Sequence, residues 1–86
     1  MRDADDDNAT ATGDQFPTVE VGGTIRLGQF LKFAGLAESG AQARELITAG
    51  DVEVDGRIET QRGRQLHGGE LVTVTTEYFE QTVRVG

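Results

Sequence analysis

The residues of this chain that could do chemistry are mainly its basic side chains. Seven of the eight are arginines, and Lys32 is the single lysine. An arginine guanidinium offers a planar fork of N–H donors that matches a phosphate group, and the same plane can stack on a flat ring. Six basic residues between positions 24 and 75 are candidates to hold an anionic ligand: Arg26, Lys32, Arg44, Arg57, Arg62 and Arg64. The sequence leaves open the alternative that each is only a solvated surface charge.

Nothing in the sequence indicates a catalytic or metal site. His67 is the only histidine and the chain has no cysteine, so no set of zinc ligands can be assembled from these residue types. No nucleophile has a recognisable base and orienting group, and the carboxylates show no pairing suited to acid–base catalysis. We therefore expect a protein that is not an enzyme and that uses no metal, cofactor or small-molecule substrate.

The net charge of −7 is unevenly distributed along the 86 residues. Residues 1–23 contain six acidic residues and one basic residue, whereas residues 24–75 contain seven acidic and six basic residues. The acidity is therefore concentrated before the body of the chain, which is close to neutral. A near-neutral body can present a basic face if the two signs separate in space, so the total charge does not exclude an anionic partner.

The composition predicts two regions. Residues 1–17 are rich in Asp, Ala, Thr and Gly, and they are expected to form a disordered acidic leader because they cannot bury enough apolar surface. This leader is either a solubilising tail or an acidic arm that competes with an anionic ligand. Residues 18–86 are expected to form one small domain. No run of residues is apolar enough to span a membrane, and the lack of cysteine suits the reducing cytoplasm.

The elements that must position the basic residues centre on a short helix followed by a hairpin. Ser39 is the predicted N-cap, and Gln42 can complete a capping box by reaching back to the residue 39 N–H. Gly50 suits the left-handed conformation that follows a helix end. Residues 52–54 then alternate at strand period, and Asp55-Gly56 is a strong signal for a hairpin turn.

A second helix is predicted before this one, with Thr24 as its N-cap and Gly35 at its end. Strands are predicted over residues 18–21 and 70–75, with a last strand near the C-terminus that could pair with the first, and residues 61–69 are predicted to form a loop. These elements predict an α+β fold in which an αα-hairpin packs on a small, mostly antiparallel sheet. The core is expected to draw on these residues: Leu27, Leu31, Leu46, Ile47, Val52, Val54, Leu71, Val72 and Val74.

Several of these residues together resemble a known family. They are Ile25-Arg26-Leu27, Leu31-Lys32, Gly35-Leu36, the run from Glu38 to Arg44, Ile47, Gly50, the run from Val52 to Gly56, Leu66 and Gly69-Glu70. The pattern resembles the RNA-binding domain named after small-subunit ribosomal protein S-four, and most closely its small bacterial YbcJ-type members. The resemblance implies an L-shaped helical surface, the alpha-L motif, that binds structured RNA, such as ribosomal RNA, a ribosome-associated particle or tRNA. Ser39, besides its role as a helix cap, is a further candidate for RNA contact, and the protein is expected to be a monomer.

Three positions depart from the wider family. Gly28 stands where the family often has Asp, Gly40 where it often has a basic residue, and Asp55 where it often has Asn. The missing positive charge after Ser39 and the added negative charge at residue 55 both lower the expected affinity for phosphate. A second hypothesis therefore stays open, in which the protein is an interaction adaptor that kept the fold and lost RNA binding.

Overall fold

The computed structural model describes residues 16–86, so the predicted leader lies almost entirely outside the described part of the chain. The elements in order are β1 (Thr18–Val19), β2 (Ile25–Arg26), α1 (Leu27–Phe33), α2 (Gly40–Thr48), β3 (Val52–Val54), β4 (Arg57–Ile58), β5 (Gln65–Leu66), β6 (Leu71–Thr75) and β7 (Glu80–Val85). Both predicted helices are present, and they pack on a mostly antiparallel sheet. The predicted α+β class is confirmed.

Helix α2 begins as its sequence predicts. The Ser39 hydroxyl accepts a hydrogen bond from the Gln42 N–H at 3.1 Å, so Ser39 is the N-cap. The predicted capping box is only half correct, because the Gln42 side chain accepts from the N–H of Glu38 instead of that of Ser39. In the predicted and in the observed arrangement alike, the Gln42 side chain satisfies one backbone N–H beside the start of α2.

Both helices end in the same hydrogen-bonded motif. At the end of α2 the Gly50 N–H donates to Ile47 and the Asp51 N–H donates to Leu46, which is the Schellman pattern. The end of α1 repeats it at Gly35. Gly35 and Gly50 have φ values of +78° and +81°, a conformation that glycine adopts at little cost. The two predicted glycine stops are therefore confirmed.

The start of α1 differs from the sequence prediction. Arg26, not Thr24, precedes the first helical residue, so the predicted N-cap is wrong. The reason is a strand pairing that sequence periodicity does not reveal: β2 pairs antiparallel with β5, with Ile25 opposite Leu66. The Leu66 side chain is fully buried in the core, and this packing anchors β5 beside β2. The predicted loop over residues 61–69 accordingly contains a short strand.

The main sheet has the strand order β1-β7-β6-β3-β4. Strands β1 and β7 are parallel, with Thr18 opposite Arg84, and every other neighbouring pair is antiparallel. The predicted pairing of the first and last strands is therefore confirmed. Residues alternate between buried and less buried along β3, β6 and β7, so one face of the sheet carries the core.

The β3–β4 hairpin turns through Asp55-Gly56, as predicted. Both residues have positive φ values, +53° and +83°, which is the backbone signature of a type I′ turn. Asp55 also bonds to the neighbouring strand: its N–H donates to the Leu71 carbonyl at 2.8 Å, and its carboxylate accepts from the Leu71 N–H at 3.0 Å. The carboxylate that departs from the family pattern therefore ties the hairpin to β6.

The core joins the helices to this sheet face. Seven predicted core residues are buried: Leu27, Leu31, Ile47, Val52, Val54, Val72 and Val74. Leu46 and Leu71 are only partly buried. The prediction missed seven others: Phe30, Leu36, Ala37, Ala43, Leu66, Val83 and Val85. None of the helices in residues 16–86 has the length and apolar character needed to cross a membrane.

Candidate functional site

The loop after β4 is attached by its backbone to the start of α1. The Leu27 N–H donates to the Arg64 carbonyl at 2.7 Å, and the Gly28 N–H donates to the Arg62 carbonyl at 3.0 Å. The first N–H groups of a helix have no partner within the helix and must find one elsewhere. Here the loop supplies two of those partners, and this fixes residues 62–64 against the first turn of α1.

The Glu59 side chain stabilises the same loop by accepting hydrogen bonds from two of its residues. Its carboxylate accepts from the Arg64 guanidinium at 2.8 Å and from the Gln61 N–H at 3.2 Å. The Arg64 hydrogen bond is the main cause that holds the pKa of Glu59 below its ordinary value, against the opposing effect of partial burial. Within residues 16–86 this is the only ion pair, so the Arg64 side chain already has an anionic partner in the protein.

The Arg62 side chain crosses α1 where residue 28 has no side chain. A Cβ atom built on Gly28 would lie 2.6 Å from Arg62 Cγ and 3.3 Å from its Cδ. Real Cβ atoms do not approach other atoms so closely, so glycine is required for the observed position of Arg62. In the sequence Gly28 stood out only as a departure from the family pattern, whereas the structure shows a packing reason for it.

These contacts form a basic cleft of about 420 Å³ beside the start of α1. It is lined by Arg26, Gly28, Gln29, Lys32, Gly40, Arg62 and Gly63. Three of the six cations predicted from the sequence therefore meet in one place, and no carboxylate lies in this lining. Three positive charges that share a cleft attract a polyanion more strongly than the same charges spread over a surface.

The sequence did not identify four residues of the cleft lining. Gly28, Gly40 and Gly63 leave the cleft open because they carry no side chain. Gln29 contributes an amide that can both donate and accept hydrogen bonds, and it accepts the Arg26 N–H at 3.4 Å. The one available signal was the position of Gln29, three residues before Lys32 and therefore on the same side of the helix.

Helix α2 brings two more predicted residues to the edge of the basic cleft. Ser39 caps the helix, and Gly40, the next residue, lines the cleft. Arg44 is exposed and lies four residues after Gly40, so it is one turn further along the same side of α2. Helix geometry therefore places Arg44 on the side of α2 that carries Gly40, outside the cleft lining itself.

The remaining predicted residues lie apart from the cleft lining. Arg57 is exposed on β4, opposite Val54, and Arg64 is engaged with Glu59. His67 is an exposed loop residue whose N–H donates to the Glu70 carboxylate at 2.8 Å. In the described part of the chain, no group of three His, Cys, Asp or Glu side chains is arranged to hold a metal ion.

Comparison with known proteins agrees with this architecture. The sequence pattern of the S4 domain family matches residues 19–85. YbcJ of Escherichia coli, which its name proposes as an RNA-binding protein, is 41% identical over 49 residues, covering 57% of this chain and 70% of YbcJ. RlbA of Bacillus subtilis, named as a proposed ribosome maturation protein, is 38% identical over 50 residues, covering 58% of this chain and 70% of RlbA.

A solved structure shows the same fold. Heat shock protein 15 of Vibrio cholerae superposes with a TM-score of 0.61 at 22% identity. The match covers 69% of this chain, which spans 59% of that chain. At this identity the likeness concerns the fold alone. The family pattern, which covers most of the chain, and the two curated relatives together confirm the resemblance found in the sequence: this chain belongs to the S4 domain family.

Proposed function

We propose that this protein binds structured RNA through the basic cleft, without catalysing a reaction. The observation that carries the proposal is the meeting of Arg26, Lys32 and Arg62 around one opening. RNA presents a dense row of phosphates, and proteins bind structured RNA largely through backbone contacts and shape. Two arginines and a lysine set around a cleft can each take a phosphate oxygen while the RNA backbone follows the opening.

The relatives narrow the class of RNA. The names of YbcJ and RlbA propose RNA binding and ribosome maturation for those two proteins. We therefore propose ribosomal RNA, within a ribosome or a ribosomal precursor, as the ligand, with tRNA as the second choice. A ribosomal ligand would place the protein in the cytoplasm. We propose that it acts there as a monomer. The acidic residues 1–17 would compete with the RNA for the basic cleft.

The geometry indicates that the predicted residues would contribute unequally to RNA binding. Arg26, Lys32 and Arg62 would make the central phosphate contacts, and Arg44 would extend them along α2. Ser39 would act mainly through its cap, which sets the start of α2. Arg57 and Arg64 would contribute less, since one lies apart from the cleft lining and the other is paired with Glu59.

The competing adaptor hypothesis predicts that positive and negative charges alternate across this face. The lining of the cleft instead contains three cations and no carboxylate. The carboxylate of Asp55, which favoured the adaptor at the sequence level, bonds to the backbone of Leu71 on the sheet. These observations favour RNA as the partner.

Charge reversal tests the proposal. We expect Arg62→Glu and Arg44→Glu each to weaken binding to ribosomal RNA fragments by about tenfold or more at low salt, because each change replaces an attraction to phosphate by a repulsion. Binding is measured by fluorescence anisotropy. Circular dichroism melts of each variant verify that the fold is intact.

Arg84→Glu is the matched control because it changes the net charge by the same amount on β7, where Arg84 donates to the Gly69 carbonyl. The control should retain most of its affinity. If all three variants lost affinity equally, total charge would govern the interaction, and the assignment of the basic cleft would be wrong.

A further inference from the structure

Phe33 is a large apolar side chain that the fold leaves in solvent. It is the last residue of α1, and 61% of it is exposed. The other exposed residues of α1, Gln29 and Lys32, are polar, as expected for the solvent side of a surface helix. Most of the Phe33 side chain is therefore free to contact a partner.

Phe33 adjoins the basic cleft through helix geometry. It lies four residues after Gln29, which lines the cleft, so the two side chains are neighbours on one side of α1. Side chains of an α-helix lean toward its N-terminus, and the cleft lies at the N-terminal end of α1. Helix geometry therefore places Phe33 next to the Gln29 side of the cleft, just outside the residues that line it.

We infer that Phe33 is a stacking platform for an unpaired base of the RNA. This inference rests on the proposed function and specifies the ligand: a structured RNA with a bulged or looped-out base beside its helical part, not an uninterrupted duplex. Bases that leave the stack in structured RNA are commonly held against aromatic side chains. Gln29, which lines the cleft, has an amide that can donate to and accept from the edge of that base.

The other strongly exposed aromatic residue has unsuitable surroundings for this role. Tyr78 is 85% exposed in the turn between β6 and β7, where Glu77 and Glu80 flank the aromatic pair Tyr78-Phe79. Two carboxylates repel the phosphates on either side of any base that would stack there. Phe33 instead neighbours Lys32 and the cations of the cleft, where stacking and phosphate contacts can occur together.

The probes that test this inference are an RNA hairpin with one bulged adenosine and the same hairpin without the bulge. We expect the full chain to bind the bulged hairpin at least about fivefold more tightly. Phe33→Ala and Phe33→Leu should remove this preference while affinity for the paired hairpin stays unchanged, because base–aromatic stacking is lost in both variants. Phe33→Leu keeps the apolar surface and so separates stacking from general apolar contact.

Ile58→Ala is the matched control. Ile58 is 64% exposed and its Cγ2 atom lies near Gly50, at the opposite end of α2 from the cleft residue Gly40. This variant should keep the preference for the bulge. The chain has no tryptophan, so Phe33→Trp also provides a direct optical signal: its fluorescence should be quenched by the bulged hairpin, whereas Ile58→Trp should not respond.

The outcomes separate this inference from the proposed function. If the wild-type chain binds both hairpins equally and Phe33→Ala changes neither affinity, the cleft binds RNA but Phe33 does not stack, and the inference is overturned. Equal losses on both hairpins would overturn it as well, since stacking on the bulge predicts a selective loss. If the wild-type chain binds neither hairpin at low salt, the proposed function itself fails.

Discussion

The Gly28 N–H donates to the Arg62 carbonyl at 3.0 Å, and the Arg62 side chain occupies the space that a side chain on residue 28 would need. These residues are 34 positions apart in the sequence. Their contact holds the loop after β4 against the first turn of α1 and places Arg62 opposite Arg26 and Lys32 around the basic cleft. The site therefore depends on a glycine that has no side chain with which to bind a ligand.

Gly28→Ala tests this dependence. Alanine favours the helix by up to about 1 kcal/mol, but its Cβ would displace Arg62. We expect the free energy of unfolding to change by less than about 1 kcal/mol because the two effects oppose each other. RNA affinity should fall by about threefold or more, since a phosphate contact moves.

Gly40→Ala provides the control for that substitution. Gly40 lines the same cleft, but a Cβ there would have no atom within 4 Å. A methyl group there adds bulk to the cleft wall without displacing Arg62, so the loss of RNA affinity should be smaller than in Gly28→Ala. Equal affinity of Gly28→Ala and wild type would show that Arg62 does not depend on the glycine.

The helix cap at Ser39 supports a prediction about stability. Ser39→Ala removes the acceptor of the Gln42 N–H and should lower the free energy of unfolding by about 1 kcal/mol. Ser39→Asp keeps a capping oxygen and should restore stability, while its negative charge beside the cleft weakens RNA binding. Urea denaturation and RNA titration of both variants separate the two roles. A stable Ser39→Ala variant with weak binding would instead identify the hydroxyl as an RNA contact.

Glu70 supports a prediction about acid stability. Partial burial acts to raise its pKa, but hydrogen bonds from the N–H groups of His67, Gly68 and Glu70 itself outweigh burial, and the pKa is lowered from 4.5. The folded state therefore releases this proton more readily than the unfolded state. The resulting stabilisation is present above about pH 4.5 and is lost as the pH falls through the lowered pKa.

Glu70→Gln should accordingly be less stable than wild type at neutral pH, where one carboxylate accepts two backbone N–H groups at 2.7 and 2.8 Å. The difference in melting temperature should shrink as the pH is lowered below about 4.5. Thermal melts of both proteins across this range provide the measurement. A difference that is constant with pH would exclude a contribution from the charge of Glu70.

Local sequence signals predicted the elements that are closed by local contacts. The Ser39 cap, the two glycine stops and the Asp55-Gly56 turn depend on neighbours within a few residues, so their residue types reveal them. The buried face of the sheet could also be predicted, because apolar and polar residues alternate along its strands. The resemblance to the family rested on these same positions, which explains why it was correct.

Contacts between distant segments could not be predicted in this way. The pairing of β2 with β5 joins residues about 40 positions apart, and it moved the start of α1 from Thr24 to Arg26. For the same reason the sequence named six cations but could not tell which of them meet. The start of α1 binds the backbone carbonyls of both Arg62 and Arg64, and the two side chains differ in what they meet: the space above Gly28 for Arg62 and the Glu59 carboxylate for Arg64.

Whether the basic cleft holds RNA phosphates is tested by a salt titration of the binding of the full chain to ribosomal RNA fragments, with Arg62→Gln measured in parallel. Affinity should fall steeply with salt, with a slope of log K against log salt of about −3 to −4 for four phosphate contacts, those of Arg26, Lys32, Arg44 and Arg62. In Arg62→Gln that slope should be smaller in magnitude by about 1. Absence of binding at low salt, or a slope that Arg62→Gln does not change, would contradict the claim that the basic cleft holds RNA phosphates.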